Sequence, residues 1–149
     1  MAVEITCSGS EKKVSLRRFK RCAGTILKLL NQDGVELSLA LVDNEAIQEL
    51  NARYRNQDGP TDVLSFPSGE RLPTGTTLLG DVVISVEQAG IQAKRRGRSL
   101  DEEMESLLIH GILHLLGYDH ERSKEEAKIM RKMERKIYQA LCGRQDLGV

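Results

Sequence analysis

Residues 110–120 read HGILHLLGYDH and contain all 3 histidines of the chain. His110 and His114 stand four positions apart. On an α-helix that spacing puts them on one face, separated by about 6 Å along the axis. Gly117 is placed to end the helix in the left-handed conformation that suits glycine. The chain can then turn back and bring His120 to the same point. Three imidazoles with a fourth direction left open fit a catalytic metal site rather than a closed structural one. The spacing therefore predicts His110, His114 and His120 as metal ligands. Asp119 is a candidate to orient one of them from behind, or else a solvated turn carboxylate.

Working outward, the capping signals frame this helix and its neighbours. Ser99…Glu102 has capping-box spacing and opens a helix over about 100–116. Ser85…Gln88 and Ser123…Glu126 open two more, over about 86–96 and 123–141. The last carries Ala127, Met130, Met133, Ile137 and Leu141 on one face. In the first half, Val3–Ser8 alternates like a strand. Leu16, Phe19, Ala23, Ile26, Leu27 and Leu30 mark a helix between Ser15 and Asn31, stopped by Gly34. Glu36–Val42 reads as a strand, and Asp43 caps a helix running to about Tyr54. Asp58-Gly59-Pro60 signals a turn. Asp62–Phe66 is a strand candidate closed by Pro67, Arg71–Thr77 a loop, and Leu78–Val86 a strand with β-branched residues at its centre. Strands gather early and helices late. The expectation is an α+β fold: one compact domain over residues 1–149, a mixed four-stranded sheet with helices covering one face, and a zincin-like metal-binding helix.

Composition narrows the function. The 22 Lys+Arg balance 22 Asp+Glu, so a globally basic coat for nucleic acid is excluded and any polyanion must use a local patch. Aromatics are 3% with no Trp, which argues against a broad stacking platform for single-stranded bases. No run approaches the roughly 20 apolar residues needed to cross a bilayer. Met1–Lys13 lacks the charged-then-apolar pattern of a secretory signal. The 3 cysteines (Cys7, Cys22, Cys142) are an odd number without a Cys-x-x-Cys pair. They read as small buried hydrophobes in a reducing compartment, not as a disulfide framework or zinc ribbon. The expected location is cytoplasmic, with no membrane contact.

The histidine spacing matches the extended zincin pattern His-Glu-x-x-His-x-x-Gly-x-x-His with one absence: Gly111 stands where the general base would be. Glycine cannot move protons, so the peptidase reading weakens. Arg55 falls where a helix gives way to a loop. It suits bidentate phosphate binding, or simply the negative end of the helix dipole. The densest basic run is Lys94-Arg95-Arg96-Gly97-Arg98. Lys94, Arg95, Arg96 and Arg98 could track a nucleic-acid backbone or complement a helix C-terminus. Asp101, Glu102, Glu103 and Glu105 crowd the start of the metal helix, where dipole compensation is sufficient explanation.

The 110–120 window resembles the H-G-x-L-H-L-x-G-Y-D-H signature of the YbeY family of bacterial endoribonucleases. Tyr54-Arg55, Asp58 and Pro60-Thr61-Asp62-Val63-Leu64-Ser65-Phe66-Pro67 resemble its other signature, and Leu79-Gly80-Asp81-Val82-Val83-Ile84-Ser85 is similar to a third. The resemblance spans most of Asn51–His120, in the family order. It implies one Zn2+ per chain held by His110, His114 and His120, and a catalytic Arg55 facing the metal cleft. It also implies single-strand-specific, metal-dependent RNA cleavage, serving late ribosome quality control and maturation of the 3′ end of small-subunit (16S) ribosomal RNA. The implied partners are single-stranded ribosomal RNA, the small ribosomal subunit, ribosomal proteins and a ribosome-associated GTPase. Water and the RNA 2′-OH stay open as nucleophiles. Two rival readings are a zinc metallopeptidase of zincin type and a non-catalytic ribosome-assembly factor with a structural zinc.

Overall fold

The computed structural model describes residues 2–8, 13–55 and 61–147, apart from the side chains of Ala2, Arg55 and 143–147. The turn expected at Asp58-Gly59-Pro60 lies outside the described residues. The elements run β1 (Ala2–Cys7), α1 (Leu16–Leu29), β2 (Val35–Val42), α2 (Asn44–Arg55), β3 (Val63–Arg71), β4 (Thr77–Ser85), α3 (Val86–Arg96), α4 (Leu100–Leu115) and α5 (Lys124–Leu147).

One mixed sheet has the order β1-β2-β4-β3. β1, β2 and β4 run parallel, and β3 pairs antiparallel with β4 through a hairpin. In β2 the buried residues Val35, Leu37, Leu39 and Leu41 alternate with partly exposed ones, as expected where only one face meets the main core. β4 sits between two neighbours, and its end, Val82 to Ser85, is buried throughout. Pro67 does not close β3. It pairs with Gly80, and the strand continues to Arg71 past an irregularity between Pro67 and Glu70. A proline is tolerated there because β3 is an edge strand, where a missing N–H costs no ladder bond.

α4 is the central helix. Met104, Leu108 and Ile112 are fully buried in the main core, with Leu37, Leu39, Val82 and Ile84 from the sheet and Phe19, Ala23, Ile26 and Leu27 from α1. Coverage of a single face was expected, yet α2 packs on the opposite one. There Ile47 meets Leu64 and Val83, with Leu50 and Phe66 beside them. The physical reason is that β3 and β4 each present apolar residues on both faces, so one helical layer cannot bury them all.

The caps form as the sequence predicts. Ser99 and Glu102 make both halves of a capping box. The Ser85 hydroxyl accepts from the Gln88 N–H, and Ser123 accepts from Glu126. Asp43 accepts from the Ala46 N–H at 2.9 Å, opening α2. α5 runs on to Leu147, beyond the expected end near 141. The cysteines divide: Cys22 is buried, its thiol pushed up to about 12 by desolvation, whereas Cys142 is half-buried and Cys7 is exposed.

Candidate metal centre

α4 carries His110 and His114 in its last two turns, and the helix ends at Leu115. Gly117 follows with φ 97°. The N–H groups of Gly117 and Tyr118 bond back to the carbonyls of His114 and Leu113, closing the helix end. This reversal returns the chain so that His120 joins the other two. Ring centroids lie 5.2 Å apart for His110–His114, 5.1 Å for His110–His120 and 5.6 Å for His114–His120. One nitrogen from each ring falls within 4.8 Å of the others. The donor set is three imidazoles, the ligand type that zinc and other divalent transition metals accept. The three residues thus fit a single metal ion, with room for a further ligand on the cleft side.

Electrostatics favour the ligand-competent forms. The pKa of His114 is lowered by desolvation first and by its neighbour His110 second, so the ring stays neutral at neutral pH. His110 Nδ1 lies 3.2 Å from Glu134 Oε2 on α5. An ionised carboxylate only accepts, so Nδ1 carries the proton and the lone pair is left on Nε2. Glu134 was not singled out from the sequence. It lies 24 residues from His110 in sequence, and the register of α5 against α4 was the missing signal. Asp119 acts on the turn itself: its Oδ1 accepts from the Glu121 N–H at 2.8 Å and its Oδ2 lies 3.3 Å from Arg122 Nε. The backbone hydrogen bond is the main reason its pKa is lowered. It braces the loop that presents His120.

The three histidines open into a cleft of about 620 Å³, lined also by Tyr54, Thr61 to Phe66 and Glu121. The cleft follows the edge strand β3. Ser65 is tied down, donating to the Gly111 carbonyl at 3.0 Å. Asp62 accepts from the Val63 N–H and from Gln92. Both side chains are thus engaged in holding the strand edge to its neighbours. Gly111 is buried against β4, where an added Cβ would come within 2.6 Å of Val82 Cγ1.

Arg55 is the last residue of α2, and its side chain lies outside the described residues. Lys94, Arg95, Arg96 and Arg98 sit at or just beyond the end of α3, and none is among the residues lining the cleft. Lys94 and Arg95 are exposed. Arg96 and Arg98 instead grip Glu103, whose side chain is 0% exposed. Dipole compensation, offered for the acidic cluster, therefore does not account for Glu103. Nor does it account for Glu105, which is buried and held by both Arg18 Nε and Nη2 at 2.9 Å.

The family model described as Endoribonuclease YbeY matches residues 4–142. A protein of that description from Sulfurihydrogenibium sp. is 48% identical over 130 residues, covering 87% of this chain and 86% of the relative. Another, from Aquifex aeolicus, is 47% identical over 131 residues, covering 88% and 87%. Among solved structures, the solution structure of a Thermotoga maritima protein is similar with a TM-score of 0.66 and 30% identity, covering 99% of this chain and 93% of that one.

Proposed function

The chain belongs to the Endoribonuclease YbeY family, and from that premise we propose that it is a zinc-dependent endoribonuclease cutting single-stranded ribosomal RNA. The domain is residues 1–149, with one Zn2+ held by His110, His114 and His120. The biological setting is cytoplasmic: late ribosome quality control and maturation of the 3′ end of 16S ribosomal RNA on the small subunit, alongside ribosomal proteins and a ribosome-associated GTPase. No helix among the described residues is long and apolar enough to cross a membrane. The observation that carries the reading is the three-histidine group, its nitrogens within 4.8 Å of one another, opening into a cleft along an edge strand.

A metal ion in this group supplies Lewis acidity toward a phosphoryl oxygen and toward water. The chain does the rest. Glu134 fixes the His110 tautomer. Burial keeps His114 neutral. Asp119 and Gly117 hold the turn that delivers His120. Arg55 is the catalytic cation of this reading, its guanidinium neutralising charge that grows on the phosphoryl oxygens. Lys94 and Arg95 are the parts of the basic run that the reading gives to the RNA backbone. Arg96 and Arg98 join it only secondarily, since Glu103 already holds them.

Two observations weigh against the rivals. Gly111 packs onto Val82, so the position where a zincin carries its acid has no space for one. A structural zinc takes four protein ligands, whereas the group offers three among the described residues.

The test is cleavage of an end-labelled single-stranded ribosomal RNA fragment by zinc-loaded protein, chelated protein and Arg55→Ala, purified identically. Cleavage by the zinc-loaded wild type, with loss in the other two, is the expected result. Equal cleavage by all three, or none by the wild type, would overturn the proposal.

A further inference from the structure

Tyr54 is the most exposed large apolar side chain among the described residues, at 60%. Its ring is nevertheless held in place. It stands edge-to-face with Phe66, centroids 5.4 Å apart and planes at 71°. Phe66 is itself anchored, half-buried in the small core beneath α2. The pair stands on the wall of the cleft that contains the three histidines. A cleft of about 620 Å³ is large enough for a nucleotide. β3 lines the same cleft, and among the described residues its outer edge has no strand partner, so backbone donors and acceptors face whatever lies along it.

We propose that Tyr54, its ring braced by Phe66, stacks on one unpaired nucleobase of the substrate and thereby selects single strands. The proposal rests on the RNA-cleaving reading above and adds a residue to it. An exposed aromatic face is the surface a splayed base takes, because every base has a π-face whatever its sequence. In a duplex both faces of each base are covered by its neighbours, so a helical substrate cannot offer one. One braced ring beside the cleft does this without the broad platform that the 3% aromatic content argues against. Tyr54 is a specificity residue in this account, and it takes no part in bond breaking.

The chain contains no tryptophan, so Tyr54→Trp creates a single fluorescent reporter at the site. Quenching is expected when metal-free Tyr54→Trp is titrated with a short oligoadenylate. None is expected with an RNA duplex or with a ribose-phosphate strand lacking bases. In parallel, Tyr54→Leu is expected to bind the oligoadenylate about tenfold more weakly than wild type, through loss of one base–aromatic stack. Tyr54→Phe is expected to bind as wild type does, and unchanged circular dichroism spectra establish that the variants are folded. Wild-type affinity in Tyr54→Leu, or equal quenching by the base-free strand, would overturn stacking while leaving the nuclease reading intact. Failure of the wild type both to bind and to cut single-stranded RNA would overturn both.

Discussion

The two halves of α4 handle polar groups in opposite ways. In the first half, Glu103 and Glu105 are buried, and each is matched by cations: Arg96 and Arg98 for one, Arg18 for the other. In the second half, three imidazoles crowd together, half-buried or exposed; Glu134 lies against His110 alone, and the largely exposed Glu121 lies 3.9 Å from His120. Matched charges hold helices together, whereas crowded, under-matched donors wait for something external. The contrast separates an acidic cluster that is paired into the architecture from a histidine cluster that could hold a metal ion, although both begin on one helix.

The comparison breaks most severely at Arg98. Arg98→Ala leaves Glu103 buried with only the largely exposed Arg96 as partner. Removing one partner of a buried pair should cost about 3 kcal/mol of folding stability. Urea denaturation measures this, and zinc stoichiometry of the folded fraction should stay unchanged. A loss below ~1 kcal/mol would mean that Glu103 is not held as described. At the other end, Glu134→Gln removes the carboxylate behind His110. Metal affinity should fall about tenfold, with little change in stability. Competition titration against a chelating dye reads it, and an unchanged affinity would dissociate Glu134 from the centre.

The smallest effect concerns pH. His114 has a pKa below its ordinary value of 6.5, so the native state takes up this proton later than the unfolded chain as pH falls. The unfolded state then binds more protons below about pH 6.5, and metal-free stability declines from there toward the native pKa. His114→Gln should flatten that part of the curve. A profile that keeps its slope in the variant would assign it to other groups.

Much of this was legible because local rules agreed with the tertiary outcome. The i, i+4 histidines, the glycine turn and the serine caps are short-range devices, and each formed where its spacing placed it. What escaped depends on which elements meet. Glu134 reaches His110 only through the packing of α5 on α4. Arg96 and Arg98 look like a solvated helix end until Glu103, on the following helix, turns inward beneath them. Pro67 looks like a strand terminator until β3 is known to be an edge. The second-face packing of α2 could not be inferred from its own periodicity, since Ile47 and Leu50 would suit either side of the sheet.

Gly111 lies one position past the first histidine and packs directly on Val82. A side chain there would force Val82 or the helix itself to move. The same helix carries two of the three clustered histidines. How closely α4 rests on the sheet, and so where it presents those two rings to the cleft, is therefore set by a contact in the core that no imidazole touches.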